Sequence, residues 1–175
     1  MIVWGYLLTI IDYMGYCLGC FMKRKAAILA FDLVSKIFTA LSLYCFGSLS
    51  GAYIYIVVFG VLIVANIKER LHKEWLWGYI MFQSIYFVIL YMTYVGISSI
   101  LVGLTASIKL LSVWFFPPQK MRLVGAINSL TFLSYQISIK NWAGLLEIFA
   151  LLSNVLSFMK YKKKKRKSYS INKAF

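Results

Sequence analysis

The sequence predicts an all-α integral membrane protein with seven transmembrane helices. They form two parallel three-helix bundles joined by a linker helix (3+1+3), with the N-terminus outside and the C-terminus cytoplasmic. Three observations carry this expectation. Of 175 residues, 62% are hydrophobic and 14% charged, against roughly 45–50% apolar and 25% charged in a soluble domain. The apolar residues fall into seven blocks, each close to the ~20 residues that cross a hydrocarbon core about 30 Å thick. Finally, the separators between blocks are alternately rich and poor in Lys and Arg.

The first block, Ile2 to Met22, lacks a basic start and is longer than the roughly 7–15 apolar residues of a signal peptide, so it reads as a retained span. The others run from Ala26 to Phe46, Ala52 to Ile67, Trp75 to Met92, Val95 to Phe116, Leu123 to Ile139 and Trp142 to Met159. Short separators divide them: KRK (23–25), GSLSG (47–51), KERLHKE (68–74), TY (93–94), PPQKMR (117–122) and KN (140–141). The expected organisation is a first bundle at 1–67, a cytoplasmic loop with linker helix at 68–94, a second bundle at 95–159 and a basic tail at 160–175.

Cytoplasmic loops retain Lys and Arg. Sixteen of the nineteen basic residues fall on one side of this segmentation, Lys140 falls on the other, and Lys36 and Lys109 lie within spans. Merging or deleting any span scrambles the alternation. Trp4, Trp75, Trp77, Trp114 and Trp142 all fall near span ends, where the amphipathic indole prefers the membrane–water interface.

The tail YKKKKRKSYSINKAF reads as a solvated end that enforces topology. Attraction to anionic headgroups, about 1 kcal/mol per basic residue, makes membrane lipids the expected partner of Lys160, Lys162, Lys163, Lys164, Lys165, Arg166 and Lys167. No folded basic surface accompanies the run, so nucleic acid is not expected.

Enzymatic chemistry finds little support. His72, the single histidine, sits in a loop between Arg70 and Lys73. There is no Gly-x-Ser-x-Gly nucleophile motif, no Gly-rich phosphate loop and no metal-ligand cluster, so neither metal nor cofactor is expected. Cys17, Cys20 and Cys45 read as small packing residues, and Gly15, Gly19, Gly96 and Gly103 as close-approach points between helices.

The informative residues are polar groups inside spans. In FDLVSKIF (31–38), Asp32 and Lys36 are four residues apart on one helix face, with Lys36 at the midplane. Asp12 lies near the middle of helix 1, Lys109 in the cytoplasmic half of helix 5 and Glu147 slightly outside the centre of helix 7. Neutral candidates are Ser35, Thr39, Gln83, Ser107, Asn128, Gln136 and Asn154. A charge at mid-bilayer costs about 2.5–3.5 kcal/mol, so such groups turn inward and pair. One outcome is a sealed Asp32–Lys36 pair that only packs the bundle. The other is a wet cavity whose charges contact a polar solute or relay a proton. Three acids against two lysines leave one charge over.

A shift of 93 positions lays the KRK turn near PPQK, Asp32 near Asn128 and Gly51 on Gly144, so helices 1–3 and 5–7 read as two copies in the same orientation. KRKAAILAFDLVSKIFTALSLYCFGSLSGA (23–52) and NWAGLLEIFALLSNVLSFMKY (141–161), with Glu147 and Asn154 in Glu-x6-Asn spacing, resemble the YgjV family of bacterial inner-membrane proteins, related to the SWEET, PQ-loop and PnuC group. Pro118-Gln119 is similar to the PQ dipeptide of that group, although here it is expected in a loop. The resemblance implies two three-helix bundles facing a central cavity in the bacterial inner membrane.

The function expected is that of a carrier or facilitator for a small polar solute, with Asp32, Lys36, Asn128, Glu147 and Asn154 lining its site and Asp12 and Lys109 as second choices. The alternative is a non-transporting scaffold or complex subunit whose charges fix helix packing and whose tail binds lipid or an acidic partner.

Overall fold

The computed structural model describes residues 1–71 and 75–171, with side chains described as far as Lys162. His72, Lys73 and the side chains of Lys163, Lys164, Lys165, Arg166 and Lys167 lie outside the described residues. The described chain is all-helical, with seven helices: α1 (Ile2–Cys20), α2 (Lys25–Cys45), α3 (Leu49–Leu71), α4 (Leu76–Met92), α5 (Ile97–Phe115), α6 (Pro118–Ser138) and α7 (Glu147–Ile171). A 3-10 segment, Trp142–Leu146, leads directly into α7.

Hydrocarbon offers the backbone no hydrogen-bond partner, so a spanning segment satisfies its own N–H and C=O groups as a helix. α1, α2, α3, α5 and the stretch Trp142–Lys162 are long and apolar enough to cross a membrane, and α4 is a shorter apolar helix. α6 is equally long but more polar, carrying Arg122, Asn128, Ser129 and Gln136 along its length. Pro118 opens it at the first turn, so the Pro-Gln pair starts the helix rather than lying in the loop expected for it. That position suits proline, whose missing N–H has no intrahelical partner there.

Helix contacts close a ring: α1 packs on α2, α2 on α3, α3 on α5, α5 on α6, α6 on α7 and α7 back on α1. α4 stands outside, against α3 and α5. The buried apolar core follows α2, α3, α5 and α6, with Leu29, Leu43, Ile54, Val61, Leu62, Val102 and Leu110 all inaccessible. Exposed Ile, Leu, Val and Phe cover the outer faces of most helices, as lipid contact requires.

One end of the ring is basic: Lys25 starts α2, Lys68 and Arg70 end α3, Lys120 and Arg122 open α6, and Lys160 and Lys162 lie on the far part of α7. There Lys25 pairs with Glu69 at 3.0 Å. Trp4, Trp77 and Trp142 are well exposed, but Trp114 is 2% exposed. Its ring packs on Gly78, its Nε1 donates to Trp75 O at 2.9 Å, and the Lys68 ammonium sits 5.1 Å over it. Trp114 therefore fastens α4 to α5 instead of serving as an interfacial anchor. Of the glycines expected to be close-approach points, Gly19 meets Phe31 and Gly103 meets Leu90, Gly15 has only ordinary contacts, and Gly96 is a turn residue with φ +115°.

The 93-residue shift reappears in the backbone. α2 and α6 begin and end at positions that differ by 93, as do the starts of α3 and of the 3-10 segment. The connecting turns share their hydrogen bonds: Ser48 N to Leu43 O matches Asn141 N to Gln136 O, and Gly47 N to Tyr44 O matches Lys140 N to Ile137 O. Gly47 (φ +75°) and Lys140 (φ +57°) occupy the same left-handed position, the geometry that ends many helices. A Cβ on Gly51 would collide with Tyr135 and crowd Leu43, and one on Gly144 would collide with Gln136.

Candidate functional site

Inside the ring, charged side chains from α1, α2 and α5 converge. Asp32 is 2% exposed, Asp12 2% and Lys36 8%. The expected Asp32–Lys36 contact exists at 3.8 Å, but it is not the dominant one. Asp32 forms its closest ion pair with Lys109 on α5, while Lys36 lies nearer to Asp12 on α1, at 3.6 Å. The isolated i,i+4 pair is thus one side of a four-residue cluster joining three helices, and Asp12 and Lys109, expected as second choices, belong to its centre. Thr39 donates to Asp12 Oδ2 at 2.7 Å. The lysines also lie over aromatic faces, Lys36 over Tyr16 and Tyr55 and Lys109 over Tyr16, which further stabilises cations removed from water.

Glu147 stands apart. It is 5% exposed, at the junction where the 3-10 segment becomes α7, and no Lys, Arg or His among the described residues ion-pairs with it. The buried hydroxyls of Tyr13 and Ser129 lie beside its carboxyl, and neither completes a hydrogen bond of good geometry.

Two small cavities occupy the centre. The first, about 20 Å³, is lined by residues of all six ring helices, including Asp12, Lys36, Tyr55, Lys109, Asn128 and Glu147. The second, about 30 Å³, extends toward the basic end past Tyr16, Asp32, Lys109, Asn128 and Asn154 to Arg122. Tyr16, Lys109 and Asn128 line both. Each has room for about one or two waters, so in this conformation the chamber is polar-lined but too small for a solute. Asn128 turns a buried, unpartnered Oδ1 into the site. Asn154 sits to one side, donating to Tyr16 Oη at 3.1 Å and accepting from Cys20 Sγ at 3.5 Å. All seven expected site residues therefore line the chamber.

Polar layers close both ends. Away from the basic end, Thr9 and Ser42 hydroxyls are 2.5 Å apart, Asn141 donates to Gln136 at 2.9 Å, and the hydroxyls of Ser48 and Tyr135 meet at 2.6 Å. At the basic end Arg122, 4% exposed, donates to the carbonyls of Cys20 at 3.2 Å and Met22 at 2.5 Å, with its guanidinium 4.3 Å over the Tyr161 ring. Ser157 and Tyr161 hydroxyls add bonds to Cys20 O and Phe21 O. Orphan carbonyls at the α1 C-terminus are thereby satisfied.

Sequence reasoning missed Arg122, which it counted as a loop cation, and the tyrosines Tyr13, Tyr16 and Tyr55. Tyr16 sits four residues from Asp12 and three from Tyr13 on α1, a helical spacing that offered a signal. Gln83 and Ser107 pair at 2.9 Å between α4 and α5, away from the chamber.

A family model described as bacterial inner membrane protein, of the YgjV type, matches residues 3–165. The chain belongs to this family. No curated protein and no solved structure matches it.

Proposed function

We propose that this multi-pass inner-membrane protein is a carrier or facilitator for a small polar solute, with the chamber between its two halves as the binding site. The observation that carries this reading is the first cavity: six helices each contribute lining, and four of its lining residues are ionisable acids or lysines. A charge held in hydrocarbon is expensive and by default marks a functional site. The repeated turn supports the reading, because parallel repeats around a midplane site are a transporter architecture. On the same grounds we place the chain near the SWEET, PQ-loop and PnuC group, with its N-terminus outside and its basic tail against anionic headgroups.

Transport requires the halves to rock apart, since the chamber has room for water but not for a solute. That small volume is what favours the second reading, a non-transporting scaffold or subunit whose cluster locks the bundle. Thermal stability of the purified protein against a panel of vitamins, nucleosides, sugars and amino acids decides between them. A solute present at 100 times its Kd adds about 2.7 kcal/mol to the folded state. Stabilisation by one class of solute, abolished in Asp32→Asn, supports the carrier. Absence of any hit across the panel, with Asp32→Asn strongly destabilised, supports the scaffold.

A further inference from the structure

The charge count left open by the sequence closes on one residue. Asp12 and Asp32 are matched by Lys36 and Lys109 through three ion pairs across α1, α2 and α5. Glu147 is the acid left over. Its surroundings are Tyr13 and Asp12 on α1, Lys36 on α2, Tyr55 on α3 and Ser129 on α6. Two lysines line the same cavity, but both lie beyond ion-pairing distance of Glu147: Lys36 on α2 is shared between Asp12 and Asp32, and Lys109 on α5 is paired with Asp32. The other buried cation, Arg122, is at the level of Ser157, ten residues along α7 from Glu147 and so about 15 Å away.

An ionised Glu147 thus holds a charge with no ion-pairing partner of its own inside the membrane, which is costly. A proton on one carboxyl oxygen removes that charge. It also leaves an O–H donor and an acceptor oxygen facing the Tyr13 and Ser129 hydroxyls. The residue lines the first cavity, where water can deliver and remove the proton. It also occupies the only place among the described spans where a helix changes from 3-10 to α.

We propose that Glu147 is a proton-binding site: the chamber takes a proton as a second ligand, on this carboxyl, alongside the polar solute. This rests on the carrier reading for its purpose but not for its chemistry. The step is a single exchange, with an O–H bond formed on the carboxylate as one O–H bond of a hydronium breaks, and reversed on release to water. In a carrier, the uncharged form lets the halves rock without moving an uncompensated charge, so solute movement is coupled to the proton gradient.

Infrared spectroscopy of the full chain in lipid nanodiscs tests this without knowing the solute. The expected result is a protonated-carboxyl C=O band that fades as pH is raised. It should be lost in Glu147→Gln, shifted in frequency in Glu147→Asp and retained in Asp12→Asn. No titrating band in the wild type overturns the proposal, as does a band that survives in Glu147→Gln or does not move in Glu147→Asp. If Glu147→Gln fails to fold, the band shift in Glu147→Asp decides alone. Solute stabilisation measured separately keeps the two ideas distinct. A solute hit without the band leaves a carrier and removes the proton site, whereas the band without any hit, with Asp32→Asn strongly destabilised, leaves the proton site and supports the scaffold.

Discussion

Asp32 on α2 is ion-paired more closely with Lys109 on α5 than with Lys36, its neighbour one turn along the same helix. The pair therefore spans the ring and ties the first half of the chain to the second. Removing one partner of a buried pair strands the other charge and costs about 3–5 kcal/mol, while removing both is far milder. Lys109→Met and Asp32→Asn should each lower stability substantially, and the double variant should recover much of the loss. Denaturant or thermal unfolding in detergent, combined as a double-mutant cycle, measures this. Additive losses would mean that the two residues do not act as a pair.

Gly47 and Lys140 share a left-handed backbone position in matching turns, but only Lys140 carries a Cβ there. A left-handed conformation costs a non-glycine residue about 1–2 kcal/mol. Gly47→Ala should destabilise by that amount, and Lys140→Gly should be neutral or slightly stabilising. Gly60→Ala serves as a control, since its nearest neighbour would be 3.9 Å from the added carbon. The ordering of melting temperatures is the readout.

Arg122 holds α6 to the end of α1 through two carbonyls and to α7 through the Tyr161 ring. Lysine keeps the charge but not the planar fork or its stacking. Arg122→Lys should cost about 1.5–3 kcal/mol, the worth of hydrogen bonds to a charged group. Loosening this end should also expose Cys20, which is 5% accessible, so its reaction with a thiol reagent should accelerate. An unchanged rate would show that Arg122 does not seal the second cavity.

The bias of Lys and Arg predicts that the basic end of the ring faces the cytoplasm. Alkaline phosphatase joined after Ser48 should be active and a fusion after Arg24 inactive, with green fluorescent protein giving the opposite pattern. The reverse result would invert the orientation.

Much of this architecture was legible in the sequence, because in a membrane the number of spans follows from apolar length and the position of charges. The candidate residues that line the cavities were legible for the same reason: Asp12, Asp32, Lys36, Lys109 and Glu147 are conspicuous in an apolar chain. Their pairing was not. Spacing on one helix shows that Asp32 can reach Lys36, whereas the approach of Lys109 depends on how α2, α3 and α5 pack, and nothing local encodes that. Arg122 was hidden among other basic residues at a span end, and its inward direction follows only from the meeting of α1, α6 and α7. The start of α6 at Pro118 shows the same limit, since a proline before a polar turn is compatible with a loop or with a helix's first residue.

The short 3-10 segment ahead of Glu147 can be considered as a screw thread. Its five residues, Trp142–Leu146, rise about 2.0 Å each and turn about 120°, against about 1.5 Å and 100° in an α-helix. Rewinding them into α-helix shortens the segment by about 2.5 Å and rotates one end against the other by about 100°. Such a turn would swing the Glu147 carboxyl around the axis of α7 while Asn141 stays bonded to Gln136. A few altered backbone bonds would then carry a side chain from one face of its helix toward another, in addition to any movement of one half against the other.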